Sequence, residues 1–240
     1  MLQAALNGAR DSTEHPALPI TPEQLAADAR AVQEAGAGEL HVHPRDVHGA
    51  ESLLAEAVAP ALAAIRAAAP GMPVGVSTGA WIEPARHRLL AHVRSWARMP
   101  GNERPDYASV NCSEPGALGL MAALAAGGIG IEAGIATPAE VEMLSATPLS
   151  EALLRVLVEP AVEDRFEAVA LARSIVKALA GAGITAPRLH HGVGAATWAV
   201  IADANDADAS VRIGLEDVLT LPDGTAAAGN AELVAELAPL

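Results

Sequence analysis

Short runs of branched apolar residues recur along the chain, separated by longer stretches whose apolar positions fall at helical spacing. The runs predict strands near Leu2–Asn7, Glu39–His43, Pro73–Ser77, Tyr107–Asn111, Ile129–Ala133, Arg155–Val158, Arg188–His191 and Val211–Leu215. Runs of this length with little polar alternation suit strands buried on both faces. The intervening stretches are rich in Ala and Leu. The clearest helix follows the first strand, where Thr21-Pro22-Glu23-Gln24 reads as a capping box with proline at the first helical position. Leu25, Ala29 and Val32 keep helical spacing, and Gly36 is placed to end the helix. A second capping box, Thr137-Pro138-Ala139-Glu140, is expected after the fifth strand, and Pro60 is expected to kink or divide the second helix. Strands and helices alternating eight times predict a closed (β/α)₈ TIM barrel, one domain over residues 1–240. A doubly wound open sheet would want a Gly-rich phosphate loop after its first strand, which Asn7-Gly8-Ala9-Arg10 does not supply.

Composition narrows the picture. Hydrophobic residues make up 51% of the 240 residues and aromatics 2%, which predicts an aliphatic core of Ala, Val, Leu and Ile. The formal net charge of −14 disfavours nucleic acid and anionic membranes as partners. No apolar run reaches the ~18 residues needed to span a bilayer, and Met1 leads into an apolar strand rather than a signal peptide. The single cysteine, Cys112, excludes an intramolecular disulfide framework, fits a reducing cytoplasm, and reads as a small buried thiol rather than a nucleophile.

In such barrels the active site lies at the C-terminal strand ends. The second strand finishes His41-Val42-His43-Pro44-Arg45-Asp46, and residues i and i+2 of a strand share a face. Both imidazoles can therefore enter the barrel mouth, either as metal ligands or as hydrogen-bonded core residues. On the eighth strand Arg212, Gly214 and Glu216 share a face, with Asp217 beside them. Strands one, two and eight are neighbours in a closed barrel, so Glu216 can approach His41 and His43. Two histidines and a carboxylate predict a divalent-metal site, zinc by ligand type, although manganese, cobalt or nickel also suit two nitrogens and an oxygen. A Glu–Arg ion pair closing the mouth is the alternative. Ser77-Thr78 and Ser109-Val110-Asn111 end the third and fourth strands, where they could bond a substrate carboxylate or act as turn formers. Glu132, which follows the fifth strand's Gly-Ile-Gly-Ile, could act as acid or base. Of His190 and His191, at most one faces inward.

These residues resemble the β-keto acid cleavage enzyme family. The resemblance rests on Asn7-Gly8-Ala9, Leu18-Pro19-Ile20-Thr21-Pro22-Glu23, His41-Val42-His43-Pro44-Arg45-Asp46, Val76-Ser77-Thr78-Gly79, Ser109-Val110-Asn111, Ala196-Thr197-Trp198-Ala199-Val200, Arg212-Ile213-Gly214-Leu215-Glu216-Asp217 and Asn230-Ala231-Glu232-Leu233-Val234. It implies a metal-dependent, acyl-CoA-forming transferase that condenses a β-keto acid with acetyl-CoA, giving acetoacetate and a new acyl-CoA. It further implies metal ligation by His41, His43 and Glu216, a base at Asp217 tuned by Arg212, substrate contacts at Ser77 and Ser109, and a homo-oligomer. Two departures stand out. Only Glu159-Pro160 follows the sixth strand where other members carry a longer Gly-rich loop. Arg10 stands where the 3-keto-5-aminohexanoate cleavage enzyme has an acidic residue, which predicts an anionic or neutral substrate tail.

Two other classes remain open to the sequence. A hydrolase of amidohydrolase type also uses a His-x-His pair, but on its first strand and with histidines on strands five and six. A catalytically silent metal-binding barrel is the other, and would not need Arg212 and Asp217 beside its metal.

Overall fold

The computed structural model describes residues 1–207 and 209–237. Its strands are β1 (Leu2–Ala5), β2 (Glu39–Val42), β3 (Val74–Ser77), β4 (Tyr107–Asn111), β5 (Gly130–Ile135), β6 (Arg155–Val158), β7 (Arg188–His190) and β8 (Ser210–Ile213). They pair in parallel and in sequence order, and β8 pairs with β1 to close the barrel. The helices are α1 (Pro22–Glu34), α2 (Ala55–Ala68), α3 (Arg86–Trp96), α4 (Ala117–Ala126), α5 (Pro138–Ser145), α6 (Arg165–Gly181), α7 (Thr197–Asp206) and α8 (Asn230–Ala235). The fold is the predicted (β/α)₈ barrel.

Local chemistry sets these boundaries. Thr21 accepts from the Gln24 backbone while the Gln24 side chain accepts from the Thr21 backbone, so the predicted capping box forms; Leu25, Ala29 and Val32 are buried, and Gly36 takes φ +109° beyond the helix end. The second box forms only in part. Glu140 accepts from the Ala136 backbone and the Thr137 hydroxyl, but the Thr137 side chain caps no backbone N–H. Pro60 does not divide α2, which runs unbroken from Ala55 to Ala68. The N–H that proline lacks would have bonded the Glu56 carbonyl in the first turn, and both residues face solvent, where water can serve that carbonyl.

The expected aliphatic core lies between the strands and the helices, where Leu25, Leu40, Leu62, Ile65, Ile131 and Ile135 are fully buried. The barrel interior is different. Its lower part is a polar plug in which Gln3 donates to the Tyr107 hydroxyl and to Glu132, each at 2.9 Å. Arg155 pairs with Glu132 at 2.9 Å and with Glu39, and its guanidinium lies 4.6 Å over the Tyr107 ring. Gly75 leaves room for that ring, since a Cβ there would sit 2.0 Å from Tyr107 Cε2. With few aromatics to fill the barrel, paired long polar side chains do so instead.

This corrects the expectation for Glu132. β5 runs on to Ile135, two residues past the predicted end at Ala133, so Glu132 lies deep within the strand, wholly buried and held by Arg155, rather than near the rim. Burial raises its pKa, against the opposing pull of Arg155.

Candidate metal centre

The rim is built by chain segments just past the strand ends. His41 is the penultimate residue position of β2, and His43 follows that strand directly. Asn7 fixes the second histidine by its backbone: Asn7 Oδ1 accepts from the His43 N–H at 2.9 Å, and Asn7 Nδ2 donates to the His43 carbonyl at 2.9 Å. β8 stops at Ile213, two residues short of the predicted strand end, and the chain turns so that both the Asp217 and Val218 N–H groups donate to the Gly214 carbonyl. Strand alternation would have sent Glu216 and Asp217 to opposite faces. The turn brings both to Arg212. Gly214 makes the turn possible, because a Cβ there would lie 1.9 Å from the Ala5 carbonyl oxygen. Gly8 does the same for the carboxylate: its φ is +54°, and a Cβ would lie 2.4 Å from Glu216 Cγ.

His41, His43 and Glu216 converge. The two Nε2 atoms are 3.1 Å apart, His43 Nε2 lies 3.5 Å from Glu216 Oε1, and His41 Nε2 lies 3.8 Å from Glu216 Oε2. Tetrahedral zinc with bonds of ~2.0–2.1 Å separates its ligands by roughly 3.3 Å, so this spacing fits. The chemistry of the donors fits as well. Two nitrogen lone pairs at 3.1 Å repel unless a proton or a cation lies between them. Among the described residues, Glu216 Oε2 is buried without a hydrogen-bond partner, as is His41 Nδ1. The three residues are a group able to hold a metal ion.

The electrostatics are those of a buried acidic cluster around one guanidinium. Arg212 donates to Glu216 at 2.5 Å and to Asp217 at 2.8 and 3.2 Å. Burial alone would raise the pKa of both carboxylates. Arg212 overrides it and holds Glu216 well below its usual range, with His43 assisting, and Asp217 below its own, with His191 assisting. Burial drives His41 down to about 3, whereas at His43 Glu216 and Glu51 outweigh burial and push it up to about 9. His191 is the inward histidine of its pair, with Nδ1 3.3 Å from Asp217 and Nε2 3.3 Å from Glu159, while His190 faces a groove outside the barrel.

These groups open on a cavity of about 550 Å³ lined also by Ser77, Ser109, Asn111, Arg10, Glu159 and Trp81. Two expected substrate contacts are engaged elsewhere. Thr78 does not line the cavity, and its hydroxyl donates to the Ser109 carbonyl at 2.6 Å. Arg10 lines it, but donates to the Leu215 carbonyl at 2.5 Å and pairs with Glu14 at 2.8 Å, so it brings no unbalanced positive charge. Cys112 is buried and does not line this cavity, with its thiol pushed up to about 12 by burial. Sequence reasoning missed Glu51, whose Oε1 lies 2.5 Å from His43 Nδ1. It also missed Trp81 and the clamp role of Asn7. The Asn7-Gly8 pair was visible as a motif, but nothing in its spacing signalled what it holds.

The fold and site define a parallel (β/α)₈ barrel with two histidines and a carboxylate, able to hold a metal ion, at its C-terminal rim. The chain belongs to the beta-keto acid cleavage enzyme family, which matches residues 1–142 and 140–240. It is 29% identical over 113 residues to the 3-keto-5-aminohexanoate cleavage enzyme of Fusobacterium nucleatum, and 28% identical over 113 residues to that of Acetoanaerobium sticklandii. Each match covers 47% of this chain, and 39% and 38% respectively of the two relatives. Among solved structures, ObcA in a ternary complex with a C4-CoA adduct and oxalate superposes with TM-score 0.75 at 18% identity, covering 92% of this chain and 63% of ObcA. ObcA in a binary complex with oxaloacetate gives TM-score 0.74 at 17% identity, with the same coverage. A mandelate racemase/muconate lactonizing enzyme from Roseiflexus sp. gives 0.55 at 14%, covering 88% of this chain and 54% of that one. At these identities the structural likeness is one of fold. No described helix is long and apolar enough to cross a membrane.

Proposed function

We propose that this chain condenses a β-keto acid with acetyl-CoA to give acetoacetate and a new acyl-CoA. The observation that carries the reading is the meeting of His41, His43 and Glu216 with the Arg212–Asp217 pair on one cavity. Family membership supports it, as do the oxaloacetate and CoA-adduct ligands of ObcA.

His41, His43 and Glu216 would hold a divalent ion, zinc by donor type. When bound, such an ion supplies a Lewis acid for the ketone and carboxylate oxygens of a keto acid. Ser77, Ser109 and Asn111 line the same cavity and orient the substrate through their hydroxyls and amide. Asp217, kept ionised by Arg212, takes a proton from the carbon between ketone and carboxylate. That carbon attacks the acetyl thioester carbonyl, forming the new C–C bond as CoA thiolate leaves. The thiolate then attacks the original ketone carbon. Breaking the old C–C bond releases the acyl-CoA and leaves acetoacetate carbon to recover the proton from Asp217. His191, with its two ring nitrogens 3.3 Å from Asp217 and from Glu159, holds the base in place. The acid partner on Arg10 leaves the mouth without a strong charge preference there, and a neutral substrate tail fits best. The site is expected to work in a homo-oligomer in the cytoplasm.

The test is turnover. Purified protein with divalent metal is incubated with acetyl-CoA and a panel of neutral, acidic and amino β-keto acids, and acetoacetate and acyl-CoA are quantified. Equimolar formation of both supports the reading. Hydrolysis of amides or lactones in their place would move the chain to the hydrolase class, and absence of any chemistry with metal bound would leave a silent binding barrel.

A further inference from the structure

We infer that Glu51 is a positioning residue for His43, held in place by Trp81, and that this arm decides which nitrogen of His43 faces the ion. The inference rests on reading the rim as a divalent-metal site. The two histidines there are not equivalent. His41 Nδ1 is buried with no partner among the described residues, whereas His43 Nδ1 meets Glu51 Oε1 at 2.5 Å. A neutral imidazole carries one N–H, and a carboxylate can only accept. Once a bound ion displaces the proton from Nε2, the proton of His43 is therefore held on Nδ1 by Glu51, and the Nε2 lone pair faces His41 and Glu216. A carboxylate behind a ligating imidazole fixes both ring orientation and tautomer, and makes the nitrogen a stronger donor.

Glu51 is itself fixed from two directions. It closes a hairpin-like loop through its antiparallel bridge with Arg45, and Asp46 braces that loop by accepting from the His48 and Ala50 N–H groups at 2.8 and 3.0 Å. Its second oxygen accepts from the Trp81 indole N–H at 3.1 Å. The Trp81 ring stacks on His43, with centroids 6.4 Å apart and planes 21° apart. This indole is 53% exposed, so burial alone does not hold it there. The hydrogen bond and the stack do, and Gly79 makes space for the ring, since a Cβ there would lie 2.3 Å from it. Trp81 thus grips both members of the pair, the imidazole by its face and the carboxylate by its N–H.

The test measures binding rather than turnover. Zinc affinity is read by competition with a chromophoric chelator, and ligand geometry by the visible absorption of the cobalt(II)-loaded protein. Wild type should bind one equivalent. Glu51→Leu, which removes the acceptor, should weaken zinc by about 10–100-fold and shift the cobalt bands, while Glu51→Gln, which keeps a neutral acceptor, should fall between. Trp81→Phe keeps the stack without the N–H and should weaken binding a few-fold; it decides the matter if the Glu51 variants do not fold. If the variants bind zinc as tightly as wild type with unchanged cobalt spectra, the positioning role is overturned and the metal site stands. If wild type binds no ion, the metal reading fails and takes this inference with it.

Discussion

Arg212 and Asp217 meet through two hydrogen bonds, Nη2 to Oδ1 at 2.8 Å and Nε to Oδ2 at 3.2 Å. The strand carrying Arg212 has ended by Ile213, so this contact depends on the turn at Gly214 rather than on strand geometry. The guanidinium holds the buried Asp217 carboxyl below its usual range, and the same Nη2 also reaches Glu216. On the proposed reading, the two consecutive carboxylates divide the work, Asp217 as base and Glu216 as metal ligand.

Asp217→Asn keeps the shape of that carboxylate and removes its capacity to accept a proton. Turnover of a β-keto acid with acetyl-CoA is expected to fall by about 10²–10⁴. The metal content of the purified variant, measured by elemental analysis, should remain that of wild type. Turnover within a few-fold of wild type would remove Asp217 from the role of base.

Gly8→Ala tests the proposed ligand role of Glu216 from a glycine outside the proposed site. The new Cβ must displace Glu216 Cγ from 2.4 Å, and alanine disfavours φ +54°. Metal occupancy and turnover should fall together, with a stability loss of about 1–2 kcal/mol in urea denaturation. A variant with full occupancy and activity would show that Glu216 has other room.

What could be read from the chain follows from which interactions are local. The barrel was legible because strand periodicity and caps such as Thr21–Gln24 are set within a few residues. His41 and His43 were legible because two positions along a strand share a face. The meeting with Glu216 followed from barrel closure, but its means did not, since the turn at Gly214 and the gap at Gly8 are set by contacts with Ala5 and Glu216. Glu51 and Trp81 were invisible for the same reason. Their loops have no period, and only the folded rim brings them to His43. Glu132 misled because β5 extends two residues past its predicted end, which sets a carboxylate expected near the rim down in the plug.

That plug gives a prediction of stability. Arg155→Met leaves Glu132 buried without its guanidinium, and should cost about 3–5 kcal/mol in chemical denaturation. Adding Glu132→Gln to it should recover part of the loss, because the stranded charge is gone. A double variant as unstable as the sum of the two singles would show that Arg155 acts through packing on Tyr107 instead.

Asp28 on α1 predicts the pH dependence. Its Oδ2 accepts from Asn230 at 2.6 Å, and Asn230 also ties the Leu6 carbonyl and the Leu215 N–H, linking α8 to both sides of the rim. Burial raises Asp28 to about 6, against the lowering effect of Asn230. A carboxyl whose folded pKa exceeds its unfolded value of ~3.9 favours the fold while protonated. Its contribution is therefore full below about pH 4 and is lost as pH rises through about 6. Asp28→Asn removes that titration and keeps an acceptor for Asn230. The variant should gain about 1–2 kcal/mol relative to wild type at pH 7.5 and little at pH 4.5, in paired urea denaturations. If the two stability curves run parallel between those values, the charge on Asp28 is already relieved in the folded chain, and α8 is tied down at no electrostatic cost.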